Sequence, residues 1–209
     1  MTTPPGVAVP TGNTYDKYAS TNPVEQRMMR GFLGALDGLL DAVQLHGSPE
    51  RILEIGVGEG EVMDRLRARF PTATIVGLDL PDDELSAQWR ERGLSCMFGD
   101  ATALPFADST FDLVLAIEVL EHVPNPDRAL VELGRVGSGS LVASVPFEPI
   151  WRVGNMARRR YLRQFGNTPG HVNHWSRWGF RRFIAKRFTI QQVKSPLPWT
   201  MVLGRKRPG

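Results

Sequence analysis

The feature that most constrains this chain is the run Arg51-Ile-Leu-Glu-Ile-Gly-Val-Gly-Glu-Gly-Glu61. Its first half, Ile52 to Ile55, is a short apolar run fit for a buried parallel strand. Its second half places glycines at 56, 58 and 60, where the chain must turn sharply and let a ligand approach the backbone. Val62, Met63, Leu66 and Phe70 then recur at helical spacing. Strand, glycine turn and helix together open a nucleotide-binding βαβ unit.

The charge around the turn bears on the ligand. A dinucleotide site holds a pyrophosphate against the turn and the following helix N-terminus. Here Glu54, Glu59 and Glu61 surround the turn, and no Lys or Arg lies between Arg51 and Arg65. Three carboxylates oppose a pyrophosphate and suit a phosphate-free ligand with a positive end, such as the ammonium and sulfonium of S-adenosylmethionine. The spacing is G-x-G-x-G, since position 61 is Glu. Taken alone, it also fits a tight turn in some other α/β protein.

The rest of the chain extends the pattern. Val24–Leu45 reads as a helix, capped by Thr21 or Asn22 with Pro23 in its first turn. Thr72–Leu80, Leu94–Phe98, Phe111–Ile117 and Ser140–Val145 read as further strands. Helices fall between them over 82–92 and about 126–135. Trp178–Arg187 reads as a last helix, and Phe188–Val193 with Trp199–Gly204 as a hairpin-like closing pair. The expected fold is α/β and doubly wound. Its seven-stranded, mostly parallel Rossmann-like sheet carries helices on both faces. Residues 1–22 are expected to form a flexible arm and lid segment, and 23–209 a single domain. That domain divides into a cofactor-binding part over 50–146 and a substrate-side insertion over 147–187.

Acids recur at the strand ends. Asp79 closes the second strand, 19 residues after Gly60, where a carboxylate can accept both ribose hydroxyls of a nucleotide. Asp100 closes the third, where it can accept from an adenine amine. A solvated loop acid is the alternative for Asp79 alone. Glu54, Asp79 and Asp100 are expected together at the carboxyl ends of adjacent strands, where open α/β sheets bind ligands.

The ordered set Glu54-x-Gly-x-Gly-x-Gly60, Gly77-Leu-Asp-Leu80, Gly99-Asp-Ala101, Leu104-Pro-Phe106 and Phe111 through Glu118-Val-Leu-Glu-His122 resembles the motifs of class I S-adenosylmethionine-dependent methyltransferases. The likeness is to the small-molecule type that includes ubiquinone-pathway enzymes, over about residues 50–146. It implies that Gly56, Gly58 and Gly60 lie against the methionine part of S-adenosylmethionine. It places Asp79 and Leu80 at the ribose, Asp100 with Ala101 at the adenine, and Glu118 toward the methyl-donor end. Val57 departs from the family's smaller residue but meets the ligand through its backbone. The Tyr15–Tyr18 stretch resembles the family's N-terminal lid: either tyrosine can hydrogen-bond the methionine carboxylate, and Arg30 can pair with it. The cofactor implied is S-adenosyl-L-methionine, and the product S-adenosyl-L-homocysteine.

Outside these motifs, the Gly166–Ser176 loop holds His171 and His174. The family's segment before the sixth strand commonly contacts substrate, so both are candidate bases for a hydroxyl acceptor. Polar loop residues are the alternative reading. His122 is a further candidate base, or a residue that packs and caps the next helix. His-x-x-His without acids nearby in sequence is an incomplete ligand set, so no metal is expected. Trp151, Arg152, Arg158 and Trp175 are candidate acceptor contacts, with arginines suited to an anionic substrate. Residues 149–209 carry 14 Lys and Arg and no acid, and the first 148 carry the other 11 with all 22 acids. The asymmetry fits an anionic partner or attraction between the two parts.

The function expected is direct-displacement methylation of a small molecule (sugar, phenol or secondary metabolite), with oxygen ranked above nitrogen or carbon as acceptor atom. An NAD-dependent oxidoreductase and a non-catalytic RNA- or membrane-binding module through 152–163 are the rivals. Nucleic acid ranks low for want of an identifiable binding fold. The single Cys96 forms no internal disulfide, and the N-terminus lacks a signal-peptide pattern. A cytoplasmic monomer or homodimer without a membrane span is expected.

Overall fold

The structure is a computed structural model, and it describes residues 21–147 and 171–207. Tyr15, Tyr18, Trp151, Arg152 and Arg158 lie outside the described residues, as does the basic stretch 152–163.

The chain runs α1 (Pro23–Gln44), β1 (Arg51–Ile55), α2 (Glu61–Arg69), β2 (Thr74–Asp79), α3 (Asp83–Glu91) and β3 (Cys96–Phe98). It continues through β4 (Phe111–Ile117), α4 (Pro126–Val136), β5 (Gly137–Pro146), α5 (Arg177–Ile184), β6 (Phe188–Lys194) and β7 (Trp199–Lys206). Local chemistry sets the helix starts. Asn22 caps α1 by accepting from the Val24 N–H at 2.9 Å, with Pro23 following it. Asp82, Asn125 and Ser176 cap α3, α4 and α5 in the same way. In α2 no side chain caps the helix; Gly60 in the left-handed region starts it, and Glu61 and Asp64 in its first turn complement the helix dipole.

The seven strands form one sheet in the order β3-β2-β1-β4-β5-β7-β6. The first five are parallel. β7 inserts antiparallel between β5 and β6, so the expected closing pair is present and its second strand joins the sheet. β5 begins at Gly137, earlier than the apolar run suggests. Gly139 packs over the Asp112 backbone with no room for a side chain, which lets a polar Gly-Ser-Gly segment pair there.

Strand periodicity feeds two cores. Leu53, Ile55, Val114, Ala116, Leu141 and Ala143 face α4 and α5, where Leu130, Leu133, Phe180 and Phe183 meet them. Ile52, Leu113, Leu115, Ile117 and Val142 face the opposite way, against Phe32, Leu36 and Leu40 of α1 and Leu66 of α2. A sheet covered on both faces leaves its carboxyl edge as the place where loops can hold a ligand. Among the described residues no helix is long and apolar enough to cross a membrane.

Candidate active site

The order β3-β2-β1-β4 puts Asp100, Asp79, Glu54 and Glu118 along one carboxyl edge, each borne by or following an adjacent strand. The glycine turn lies at the centre. Gly56, Gly58 and Gly60 all have positive φ, at 74°, 51° and 94°. A Cβ on Gly56 would collide with the Val119 side chain, and one on Gly60 with Leu94. Neighbouring side chains therefore fill the space on one side of the turn, and glycine is required for two independent reasons.

Asp79 is locked to this turn. One of its carboxylate oxygens accepts from the Gly58 N–H and the other from the Leu80 N–H, each at 2.7 Å. Each oxygen keeps a lone pair for a further donor such as a ribose hydroxyl. Burial pushes the Asp79 carboxyl up from its usual value, and the two backbone bonds act the other way. Leu80 is partly exposed beside it. The Gly99 N–H donates to the Asp79 carbonyl at 2.8 Å, which sets Asp100 one residue beyond. Asp100 accepts from the Thr102 N–H at 2.7 Å, and Ala101 packs partly against the core.

Glu54 sits differently from its two companions. It is 1% exposed, and one of its oxygens has no hydrogen-bond partner among the described residues. Burial, then the nearby Asp79 and Asp64, push its carboxyl well above the usual range. The same surroundings push the Cys96 thiol up to about 12: burial first, then Glu54 and Asp79.

The charge reading of the turn therefore needs correcting. Glu54 lies under the turn as a buried group that resists ionisation. Glu61 is not unopposed either. Arg92, just past α3, pairs with Glu61 at 3.1 Å and with Asp64, and donates to the Glu59 carbonyl. This cation lies 31 residues from Glu61 and reaches the turn only through the α2–α3 packing, so no local pattern in the sequence announces it. The same holds for Trp89, also 31 residues from its partner. Its indole N–H donates to the Gly58 carbonyl at 2.8 Å, while its ring packs with Val57 and Met63. Val57 itself is buried in that cluster, so its side chain does not crowd the turn.

Glu118 has a left-handed backbone at φ 59°, an uncommon state for a non-glycine residue. Its carboxylate accepts from the Ser144 hydroxyl at 3.0 Å and from the Trp199 indole N–H at 2.6 Å. Trp199 meets Phe32 of α1 edge to face, so this acid links the edge to the first helix. Arg30 lies exposed on α1, and no ion pair joins it to the edge among the described residues.

Residues 171–173 close over the turn after β4. The Val172 and Asn173 N–H groups donate to the Glu121 carbonyl at 2.9 and 3.0 Å. The Asn173 amide donates to the carbonyls of Leu120 and Val123 at 2.9 and 2.7 Å. This brings His171 onto His122, ring centroids 4.8 Å apart and nearly perpendicular, with Glu121 alongside. His171 is buried, and His174 is exposed three residues on. Trp175 packs against Phe183 and Phe180 of α5, and its indole N–H is buried without a partner among the described residues.

Residues 53–141 match the family described as "Methyltransferase domain". This part of the chain is similar to a methyltransferase domain. Such domains take S-adenosylmethionine, and the chemistry of the edge is compatible with that ligand: a glycine turn closed to side chains at Gly56 and Gly60, and two carboxylates, Asp79 and Asp100, able to accept from hydroxyl or amine donors. Over 98 residues the chain is 39% identical to a fatty-acid O-methyltransferase of Mycolicibacterium smegmatis, covering 46% of this chain and 36% of that one. Over 111 residues it is 35% identical to the demethylmenaquinone methyltransferase of Thermus thermophilus, covering 50% of each. The chain thus spans between a third and a half of the length of these curated relatives. The fold is shared with the magnesium protoporphyrin IX methyltransferase of Synechocystis PCC 6803, solved with bound S-adenosylhomocysteine. The TM-score is 0.67 at 14% identity, covering 90% of this chain and 89% of that one.

Proposed function

We propose that the chain is an S-adenosylmethionine-dependent methyltransferase that methylates an oxygen of a small molecule. The observation that carries this reading is Asp79, bound through both oxygens to Gly58 and Leu80, with Asp100 one strand over. Bound there, the sulfonium offers a methyl for direct displacement: the acceptor's lone pair forms the new bond to carbon as the C–S pair leaves on sulfur. The chain's part is largely to position the two reactants in line. The proton of a hydroxyl acceptor goes to a base, for which His174 and His171 are proposed. The Asn173 clamp supports this, because it holds their segment against the 118–123 turn, whose Val119 touches Gly56.

An anionic acceptor is favoured, with Arg152, Arg158 and Trp151 as proposed contacts. The 14 bases of residues 149–209 have no acid in their own stretch. Among the described residues, the ion pair from this stretch to the earlier part is Lys186 to Asp127. Nitrogen and carbon acceptors stand as the second reading, since the matched relatives are named for different acceptors.

Calorimetric titration with S-adenosylmethionine, S-adenosylhomocysteine and NAD tests the cofactor. The first two are expected to bind, and NAD is not. Binding of NAD alone would overturn the proposal. Mass spectrometry of candidate acceptors after incubation then reads the transferred methyl and the atom that carries it.

A further inference from the structure

We infer that Glu121, His122 and His171 form a divalent-metal site beside the methyl-transfer centre. The three residues come from two segments that are remote in sequence. The turn after β4 supplies Glu121 and His122, and the segment before α5 supplies His171. One ligand atom from each lies within 4.8 Å of the other two. Zinc holds histidine nitrogens at about 2.0–2.1 Å and carboxylate oxygens at about 2.0–2.2 Å. Such ligands stand about 3.0–3.5 Å from one another, so metal binding needs each pair to close by at most about 1.8 Å. Side-chain rotation suffices for that.

The backbone around the three is already built. Four hydrogen bonds, two to the Glu121 carbonyl and two from the Asn173 amide, pin the His171 segment to the turn that carries Glu121 and His122. Glu121 and His171 are buried, and His122 is partly exposed. Two imidazoles and one carboxylate leave open coordination positions, which is the pattern of catalytic rather than structural metal sites. Nitrogen and oxygen donors without thiolate suit zinc, and also iron or cobalt as divalent ions.

The site's place gives it a use. Val119, two residues before Glu121, packs against Gly56 of the glycine turn. With His171 held as a ligand and no longer a base, a cation here would bind the acceptor hydroxyl and lower its pKa, so that its proton leaves to His174 or to water before the lone pair attacks. This role rests on the methyl-transfer reading; the metal site itself does not.

The test uses the full chain without an affinity tag, stripped with a chelator and titrated with cobalt(II) alone. One equivalent is expected to produce a visible d–d absorption that zinc displaces. His171→Ala and His122→Ala should each weaken binding by about a hundredfold or more, since even a lost outer partner costs about 10–100-fold. His46→Ala, far away at the end of α1, should bind as the parent does. Thermal melting checks that each variant folds. Should His171→Ala fail to fold, the near-isosteric Glu121→Gln provides the same comparison. Absence of a cobalt band, or a band unchanged in the ligand variants, would overturn the site. Binding of S-adenosylhomocysteine without cobalt would sink the metal and leave the methyltransferase reading intact; cobalt without S-adenosylhomocysteine would support the site and sink that reading.

Discussion

The indole N–H of Trp89 donates to the carbonyl of Gly58 at 2.8 Å and so ties α3 to the glycine turn. Arg92 holds the next carbonyl, that of Glu59, from the same end of the helix. Two consecutive peptide groups of the cradle are thus fixed from one side. Trp89→Phe keeps most of the buried ring but loses the donor, and a buried carbonyl left unpaired costs about 1–3 kcal/mol. The expected result is lower thermal stability together with about five- to tenfold weaker binding of S-adenosylhomocysteine by calorimetry. Unchanged affinity would mean that the turn keeps its shape without the brace.

Asp79 supports two backbone N–H groups at once. Asp79→Asn preserves size but has one oxygen, so its amide N–H₂ must face either Gly58 or Leu80, donor against donor. Affinity for S-adenosylhomocysteine should fall by about 10–100-fold, with a stability loss of about 1–3 kcal/mol. A change in stability alone, with binding intact, would remove Asp79 from the ribose.

Gly56 and Val119 share one small space. Gly56→Ala adds a methyl that meets the Val119 side chain, and it also sits at φ 74°. Val119→Ala relieves the collision and not the backbone strain. The double variant should therefore recover part of the lost stability, leaving about 1 kcal/mol that is the cost of a non-glycine residue in the left-handed region. Full recovery would show that the collision alone demands glycine.

Glu54 gives the chain a pH dependence whose sign follows from its burial. Its carboxyl is raised well above 4.5 in the folded chain. The folded state therefore holds a proton that the unfolded chain releases. Its contribution is fully present below about pH 4.5 and is lost as pH rises through the folded value. Glu54→Gln cannot ionise, so its melting temperature should fall less than the parent's between about pH 5 and pH 8. Asp79 is raised mainly by burial and acts in the same direction, leaving a residual slope. Parallel profiles for parent and variant would refute the account.

Much of this was legible in the sequence because it is local or periodic. Leu113 to Ile117 alternate between the two cores, so β4 is read directly from its apolar run. Asn22 and Pro23 mark the start of α1 through groups two residues apart. Gly56, Gly58 and Gly60 announce backbone states that only glycine adopts readily. Asp79 and Asp100 could be set on one edge because parallel strands joined by right-handed crossovers all end on the same side.

The sequence by itself thus determined the carboxyl edge, the glycine turn and the acids that stand along it. Tertiary structure decided which side chains complete them. Arg92 reaches Glu61, Trp89 reaches the Gly58 carbonyl and His171 reaches His122 across gaps that no periodic pattern spans. The charge of Glu54 was likewise decided by depth. A carboxylate in a sequence carries no mark of its burial, and desolvation, not composition, sets whether it ionises.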